Sequence, residues 1–395
     1  MKTRRINLMI GIISVLILIS VNIIAQDSIQ KQNVAKEKKA FQFTFIYPMG
    51  TNGTNSPNCS NDISLNILGG FNGGVNACEL GAFANINHGD VNGFQVAGFT
   101  NVNIGNTTGF QYAGFYNQNK EFNGGQIAGF LNTNVGNCAG LMGAGFANVV
   151  KGDMKGWQLA GFINTNTSKI EGAQLAGFTN IANGNVKGAQ VAGFANVAKD
   201  INGAQLAGFI NVAQKVKGAQ LGFINIADSV DGASIGFLSI VKNGYHRIEF
   251  GANESLYANL TFKIGTNNFY NIFTSGLKFD HSKVYWSYGY GVGSVFAVHP
   301  KVNLNFDLFC QQINENQFHT ENVNLLNTFR LNASYKLTDL IELVAGPSFN
   351  VFVSEFDHTE GIGSSNTFVP YSFYDQVHNN YSVKMYIGFN AAIRF

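Results

Sequence analysis

The 395-residue sequence predicts an all-β fold in two parts: a repeat β-solenoid, then an antiparallel β-barrel of approximately eight strands. Three observations predict it. The unit Gly-x-Gln-x-Ala-Gly-Phe-x-Asn recurs along the middle of the chain, starting cleanly at Gly93, Gly109, Gly124, Gly156, Gly172, Gly188 and Gly203. The last third alternates apolar and polar residues with period two, the mark of strands with two unlike faces. The composition is rich in Gly (46) and Phe (35), poor in Pro (5), and only 12% charged, about half the ~25% of an ordinary soluble domain.

The elements follow in order. Lys2, Arg4 and Arg5 precede an apolar run from Leu8 to Ile24, and Ala25 precedes Gln26. This is the pattern of a cleaved signal peptide over residues 1–25; an uncleaved membrane anchor is the alternative. No Cys follows the run, so a lipid-modified N-terminus is not expected. Residues 26–40, rich in Lys and Gln, are expected to form a linker. Phe41–Met49 is the first expected strand, and Thr51–Asp62 a turn region. Of the four cysteines, Cys59 and Cys78 are near enough in sequence to pair in an exported chain.

Residues 41–242 hold the repeats. The phenylalanines of the motif run from Phe83 to Phe237 at intervals of 14–16 residues. A fixed short period means one small unit, each copy burying its surface against the next. In a solenoid the copies stack into a Phe column, an Asn ladder and a Gln ladder, with Gly at the corners. Leu221-Gly222-Phe223 and Ile235-Gly236-Phe237 lack the Ala of the motif. In a straight strand that deletion would swap the faces; at a corner or bulge it is harmless. The alternative makes each repeat one membrane strand, so that repeats and C-terminal strands close into one large up-and-down barrel. Its support is the placing of charges such as Lys151, Lys155, Lys187 and Lys217 near the turns, around uncharged stretches of about 9–11 residues. The motif resembles that of bacterial surface-repeat proteins, which often accompany outer-membrane barrels. The resemblance covers Gly74 to Ser239 and implies an envelope location rather than a chemistry.

Residues 243–395 form the expected barrel. In the final strand Tyr381, Val383, Met385, Ile387, Phe389, Ala391, Ile393 and Phe395 share one face, against Ser382, Lys384, Tyr386, Gly388, Asn390 and Arg394. Similar alternation over Leu256–Ile264, Lys283–Phe296, Lys301–Leu308, Leu325–Lys336 and Ile341–Val353, with weaker strands at Tyr245–Ala252 and Phe269–Phe279, brings the count to eight. An apolar outside and a polar inside predict a transmembrane barrel; a soluble β-sandwich is the alternative. The terminal Phe395 resembles the insertion signal of bacterial outer-membrane β-barrel proteins. That resemblance implies a periplasmic C-terminus, long external loops at Ile313–Glu321 and Glu355–Asn380, and short periplasmic turns at Val298–Pro300 and Leu337–Asp339. With eight strands the repeats then join on the periplasmic side, at Asn243.

Few residues promise chemistry. A net charge of +2 implies no nucleic-acid partner. The run Gly289-Tyr-Gly-Val-Gly-Ser lacks the strand–helix context of a dinucleotide site and reads as small inward residues of a strand. His281, His319, His358 and His378 fall in expected loops, solvated or, alternatively, metal-binding. Arg247, Glu249, Lys263, Asp307, Arg330, Glu342, Lys384 and Arg394 point into the barrel, where a paired polar core is expected. The repeat Gln and Asn residues read as structural ladders, with a carbohydrate- or peptide-binding strip as the functional alternative. Phe94, Phe110, Tyr112, Tyr116 and Trp157 form a candidate contact patch. No catalytic, cofactor or metal residue is expected. The sequence is therefore read as a non-enzymatic outer-membrane protein, a scaffold or adhesin. Its expected partners are outer-membrane lipid and envelope or surface ligands; a porin-like channel through one large barrel is the alternative.

Overall fold

A computed structural model describes residues 36–280, 283–316, 318, 322–355, 368–378 and 381–395. The expected signal peptide and most of the linker lie outside these residues. The chain is all-β, with 75% strand and 2% helix, and it forms two separate sheets of 23 and nine strands. One large barrel is therefore not formed. The boundary falls in the turn between Leu238–Val241 and Tyr245–Asn253.

The first sheet coils into a solenoid of about 11 turns. A typical turn has a long arm, Val186–Ala192, and a short arm, Ala195–Ala198. Long arms pair in parallel with long arms and short with short, in strict register: Gly188 opposite Gly172, Gln190 opposite Gln174, Asn196 opposite Asn180. Two glycines per turn are required. Gly188 has φ +136°, and a Cβ on it would lie 1.9 Å from the Gly172 carbonyl oxygen. At the corner, a Cβ on Gly193 would lie 2.2 Å from the Gly177 oxygen. Backbones stacked ~4.8 Å apart leave no room for a side chain there. The two copies without Ala keep their register, Leu206 facing Leu221 and Leu221 facing Ile235. The deletion is absorbed at the corners, Gly222 and Gly236.

Three expectations near the N-terminus are corrected. The first described strand, Glu37–Ile46, starts inside the expected linker; its polar start is tolerated because Glu37, Lys38 and Lys39 remain largely solvent-facing. Cys59–Asp62 belongs to a strand, Cys59–Asn72, preceded by a short 3-10 helix, Gly53–Asn58. Cys59 and Cys78 are free thiols. Cys78 pairs in register with Ile63, four residues along the strand from Cys59, or ~13 Å at ~3.3 Å per residue, too far for a disulfide.

The second sheet is a closed antiparallel barrel of eight strands. These are Tyr245–Asn253, Ala258–Gly265, Tyr270–Asp280, Lys283–His299, Val302–Glu315, Asn324–Lys336, Glu342–Glu355 and Tyr381–Arg394. Closure comes from pairing Glu249 with Arg394. Followed from Tyr245 across every strand, the register reaches Gly388 on the last and returns to the first at the level of Ser255, a shear of 10 residues. That stagger tilts the strands by about 40°. A ninth strand, Tyr374–His378, pairs with the upper half of the last one. Leu256 departs from expectation: it precedes its strand and turns inward, fully buried. No helix among the described residues is long and apolar enough to cross a membrane, which leaves crossing by strands open.

Candidate functional site

Three places can carry function: the barrel lumen, the solenoid interior and the solenoid's aromatic surface. The lumen is packed. On the last strand Arg394 lies between two neighbours, its Nε 2.7 Å from Glu249 Oε1 and its Nη1 3.0 Å from Glu342 Oε2. Lys263 Nζ bridges Glu249 (2.9 Å) and Asp307 (2.7 Å), and the Tyr270 hydroxyl donates to Asp307 Oδ1. Arg330 is buried against the Phe309 ring. Arg247 sits half-exposed at the rim and Lys384 pairs with Asp375. Gly289, Gly291 and Gly293 lie within a strand; a Cβ on Gly293 would strike the Tyr270 ring, and one on Gly291 the Phe309 side chain. Their smallness makes room for the two inward rings. At the opposite end Phe368 and Val369, from the last long loop, pack inside against Leu256, Tyr285, Ile313, Leu326, Phe352 and Tyr386. A cavity beside Glu249, Thr261, Arg330 and Asn390 is about 10 Å³, the space of one water at most. Among the described residues these side chains pack the lumen.

The solenoid interior holds a pair of amide ladders beside an apolar column that includes Phe122, Met154, Ile170, Val186, Ile201 and Val216. Gln190 Nε2 donates to Gln174 Oε1 at 2.8 Å, and Gln205 and Gln220 continue the series at 2.8 Å each. From Asn85 to Asn211 each ladder Asn donates to the Asn of the next turn and to a backbone carbonyl of that turn, as Asn180 does to Asn196 (2.9 Å) and Val191 O (2.7 Å). Met142 interrupts the Gln ladder, and Asn134 Nδ2 meets its Sδ at 3.4 Å. These amides have no exposure, so the strip-binding alternative is removed. Glu79 begins the Gln ladder, fully buried; desolvation raises its pKa against four amide hydrogen bonds that lower it. Burial likewise pushes the Cys138 thiol up to about 12, an unreactive state.

The aromatic surface remains. Of the expected patch, Phe94, Phe110 and Trp157 share one outward column along the long arms. Phe94 and Phe110 stack at 5.4 Å. Tyr112 stands in the next outward column of the same face. Tyr116 does not join them: it lies on a short arm, with its hydroxyl bonded to Gln118 at 3.0 Å. The larger aromatic feature is the motif phenylalanine itself. Phe83 to Phe237 form one continuous stack along a corner, with successive centroids 4.8–5.9 Å apart, each ring about 40–50% exposed. The repeat itself signals this column, but not that it faces outward.

The stack ends on the barrel. Phe237 stacks on Tyr290 at 4.8 Å, and the Tyr290 hydroxyl donates to Phe237 O at 3.0 Å. Asn271 receives Ser239 N–H and donates to Gly236 O, both at 2.8 Å. Asn268 donates to Gly232 O at 2.9 Å. The outer wall of the barrel thus supplies the last turn with partners that a further turn would have given, closing an open sheet edge. Three of the four expected loop histidines, His281, His319 and His358, lie outside the described residues, while His378 ends the ninth strand. No group of three potential metal ligands occurs among the described residues. Compared with known proteins, the chain matches no family model, no curated protein and no solved structure.

Proposed function

We propose that this chain is a non-enzymatic protein of the bacterial outer membrane, exported by its signal peptide. Its barrel is the anchor, and its solenoid is a scaffold on the periplasmic side. One observation carries the reading. The solenoid docks at the barrel end where all three connections are short, Gly265–Tyr270, His299–Val302 and Lys336–Glu342, whereas the opposite end carries both long ones, Glu315–Asn324 and Glu355–Tyr381, beside the short Asn253–Ala258 and Asp280–Lys283. In outer-membrane barrels short turns face the periplasm and long loops the exterior. Lipid as the barrel's partner is supported by an outward apolar residue on every strand: Phe250, Leu260, Leu277, Tyr288, Leu308, Phe329, Phe349 and Phe389 are each 37% or more exposed. The filled lumen favours an anchor over the porin-like alternative. The resemblance to surface-repeat proteins also implies an envelope location.

The test places a protease site at 183–185 and, separately, at 363–366, and treats intact cells with protease. Cleavage only at the second site is expected. Cleavage at the first would make the solenoid an external adhesin. Cleavage at neither, in a protein shown to be exported, would remove the membrane reading.

A further inference from the structure

We propose that the solenoid lies edge-on against the bilayer that the barrel spans, with its phenylalanine column in the lipid. This rests on the membrane reading of the barrel. The docked turn supplies the orientation. Gly232, near the far corner of the turn, is held by Asn268 in the short connection below the barrel wall. Gly236 is held by Asn271, one residue above the strand's start at Tyr270. Phe237 is held by Tyr290, whose ring also meets Phe273, two residues higher again. Along one turn the contacts therefore climb the wall, and the phenylalanine corner points toward the lipid-facing band. Because every turn repeats the same register, the whole column points the same way.

The column has the character of a lipid contact. Eleven rings, each about 40% exposed or more, leave on the order of 900 Å² of aromatic surface in one strip. That exceeds the 300–600 Å² of the largest patch on a typical soluble monomer. The strip is continuous with the barrel exterior through Tyr290. Charge is segregated to the other corner: Lys155, Glu171, Lys187, Lys217 and Asp231 stand in one exposed column. Lys187 is five residues from Ala192, the end of its arm before the phenylalanine corner, ~17 Å at ~3.3 Å per residue. An apolar edge opposite a charged one is the layout of a structure lying at a membrane interface.

The experiment uses the full chain in vesicles of phosphatidylcholine with dibrominated acyl chains, in a background of Trp157→Phe and Trp286→Phe. Single tryptophans are placed by Phe178→Trp on the column, Lys187→Trp on the charged corner and Phe389→Trp on the barrel. The expected result is fluorescence quenching of about two-fold or more for Phe178→Trp and Phe389→Trp, relative to unbrominated lipid, and none for Lys187→Trp. Quenching of Phe389→Trp without Phe178→Trp would overturn the inference and leave the barrel reading intact. If Phe178→Trp were then also shielded from acrylamide, a second copy of the chain would be the occupant. Equal quenching of Lys187→Trp would overturn the edge-on orientation. An unquenched Phe389→Trp would remove the membrane reading and the inference together. Phe194→Trp replaces Phe178→Trp if that variant fails to fold.

Discussion

Gln190 in the solenoid and Arg394 in the barrel are both without exposure, yet one belongs to a ladder of neutral amides and the other to a net of charges. The ladder repeats by translation. Each amide donates to one neighbour and accepts from another, so each turn is satisfied by the turns beside it. The barrel net converges instead on its closing seam, where Arg394 on the last strand joins Glu342 on one side to Glu249 on the other. A structure of repeated turns spreads its polar satisfaction evenly. A closed barrel concentrates it where the ends of the sheet must meet.

The largest effect is expected at that seam. Arg394→Ala leaves Glu249 with Lys263 alone and Glu342 with only the more distant Arg247 at 3.9 Å, and breaking a buried ion pair from one side costs about 3–5 kcal/mol. Urea unfolding of the detergent-solubilised protein in a Trp157→Phe background, followed by Trp286 fluorescence, reads the loss. A cost below about 1 kcal/mol would mean that the seam does not depend on its charges, and the contrast would fail.

A smaller and more local effect is expected in the ladder. Gln174→Leu removes the acceptor of Gln190 and the donor to Gln158. One buried unsatisfied group costs about 1–3 kcal/mol. Met142 shows that a turn with a non-amide at this position can be accommodated. Hydrogen exchange should therefore accelerate in the turns on either side of Gln174 and stay unchanged around Gln95 and Gln111. Acceleration along the whole solenoid would show one cooperative block in place of independent turns.

Local periodicity made most of this fold legible. The period of two placed all eight barrel strands, seven of them near their final bounds; the fifth runs on to Glu315, through Ile313–Glu315 of the expected loop, because the strict alternation fades at Cys310-Gln311-Gln312. The missing Ala of the last two motifs favoured a solenoid corner over a membrane strand. What periodicity does not encode was missed. Phe368 and Val369 enter the lumen from a loop without a pattern, and Leu256 turns inward because it stands outside its strand. Tyr290 looks in the sequence like any outward residue of a barrel strand, and Asn271 lies in a strand whose alternation is weak. Their role comes from the particular strand that the last turn meets. For the candidate patch, residue type alone grouped Tyr116 with Phe94, Phe110, Tyr112 and Trp157. The arm on which each residue lies decides the face, and that separates it.

The sharpest probe of the contrast is the one carboxylate that heads the Gln ladder. Gln111 donates to Gln95, and Gln95 donates to Glu79. Asn66, Asn72 and Asn87 also donate to Glu79, at 2.6–2.9 Å. Four N–H donors thus converge on one residue, which must only accept, and a carboxylate meets that demand where an amide would oppose two of them. Desolvation works against it and raises its pKa above the ordinary 4.5. The folded state then holds the proton more tightly than the unfolded chain. Stability from this site is complete below 4.5 and is lost as pH rises from there through the raised folded value. Glu79→Gln removes the titration, so wild type should lose ground to the variant between about pH 4 and about pH 8 in thermal unfolding. The net change at neutral pH is the smallest of the three, because the opposed amide donors offset the charge that was removed. A wild-type advantage that is the same at both pH values would mean that the four donors keep Glu79 ionised at no cost. The solenoid would then tolerate a buried charge as the barrel does, and the division between neutral ladder and charged net would not hold.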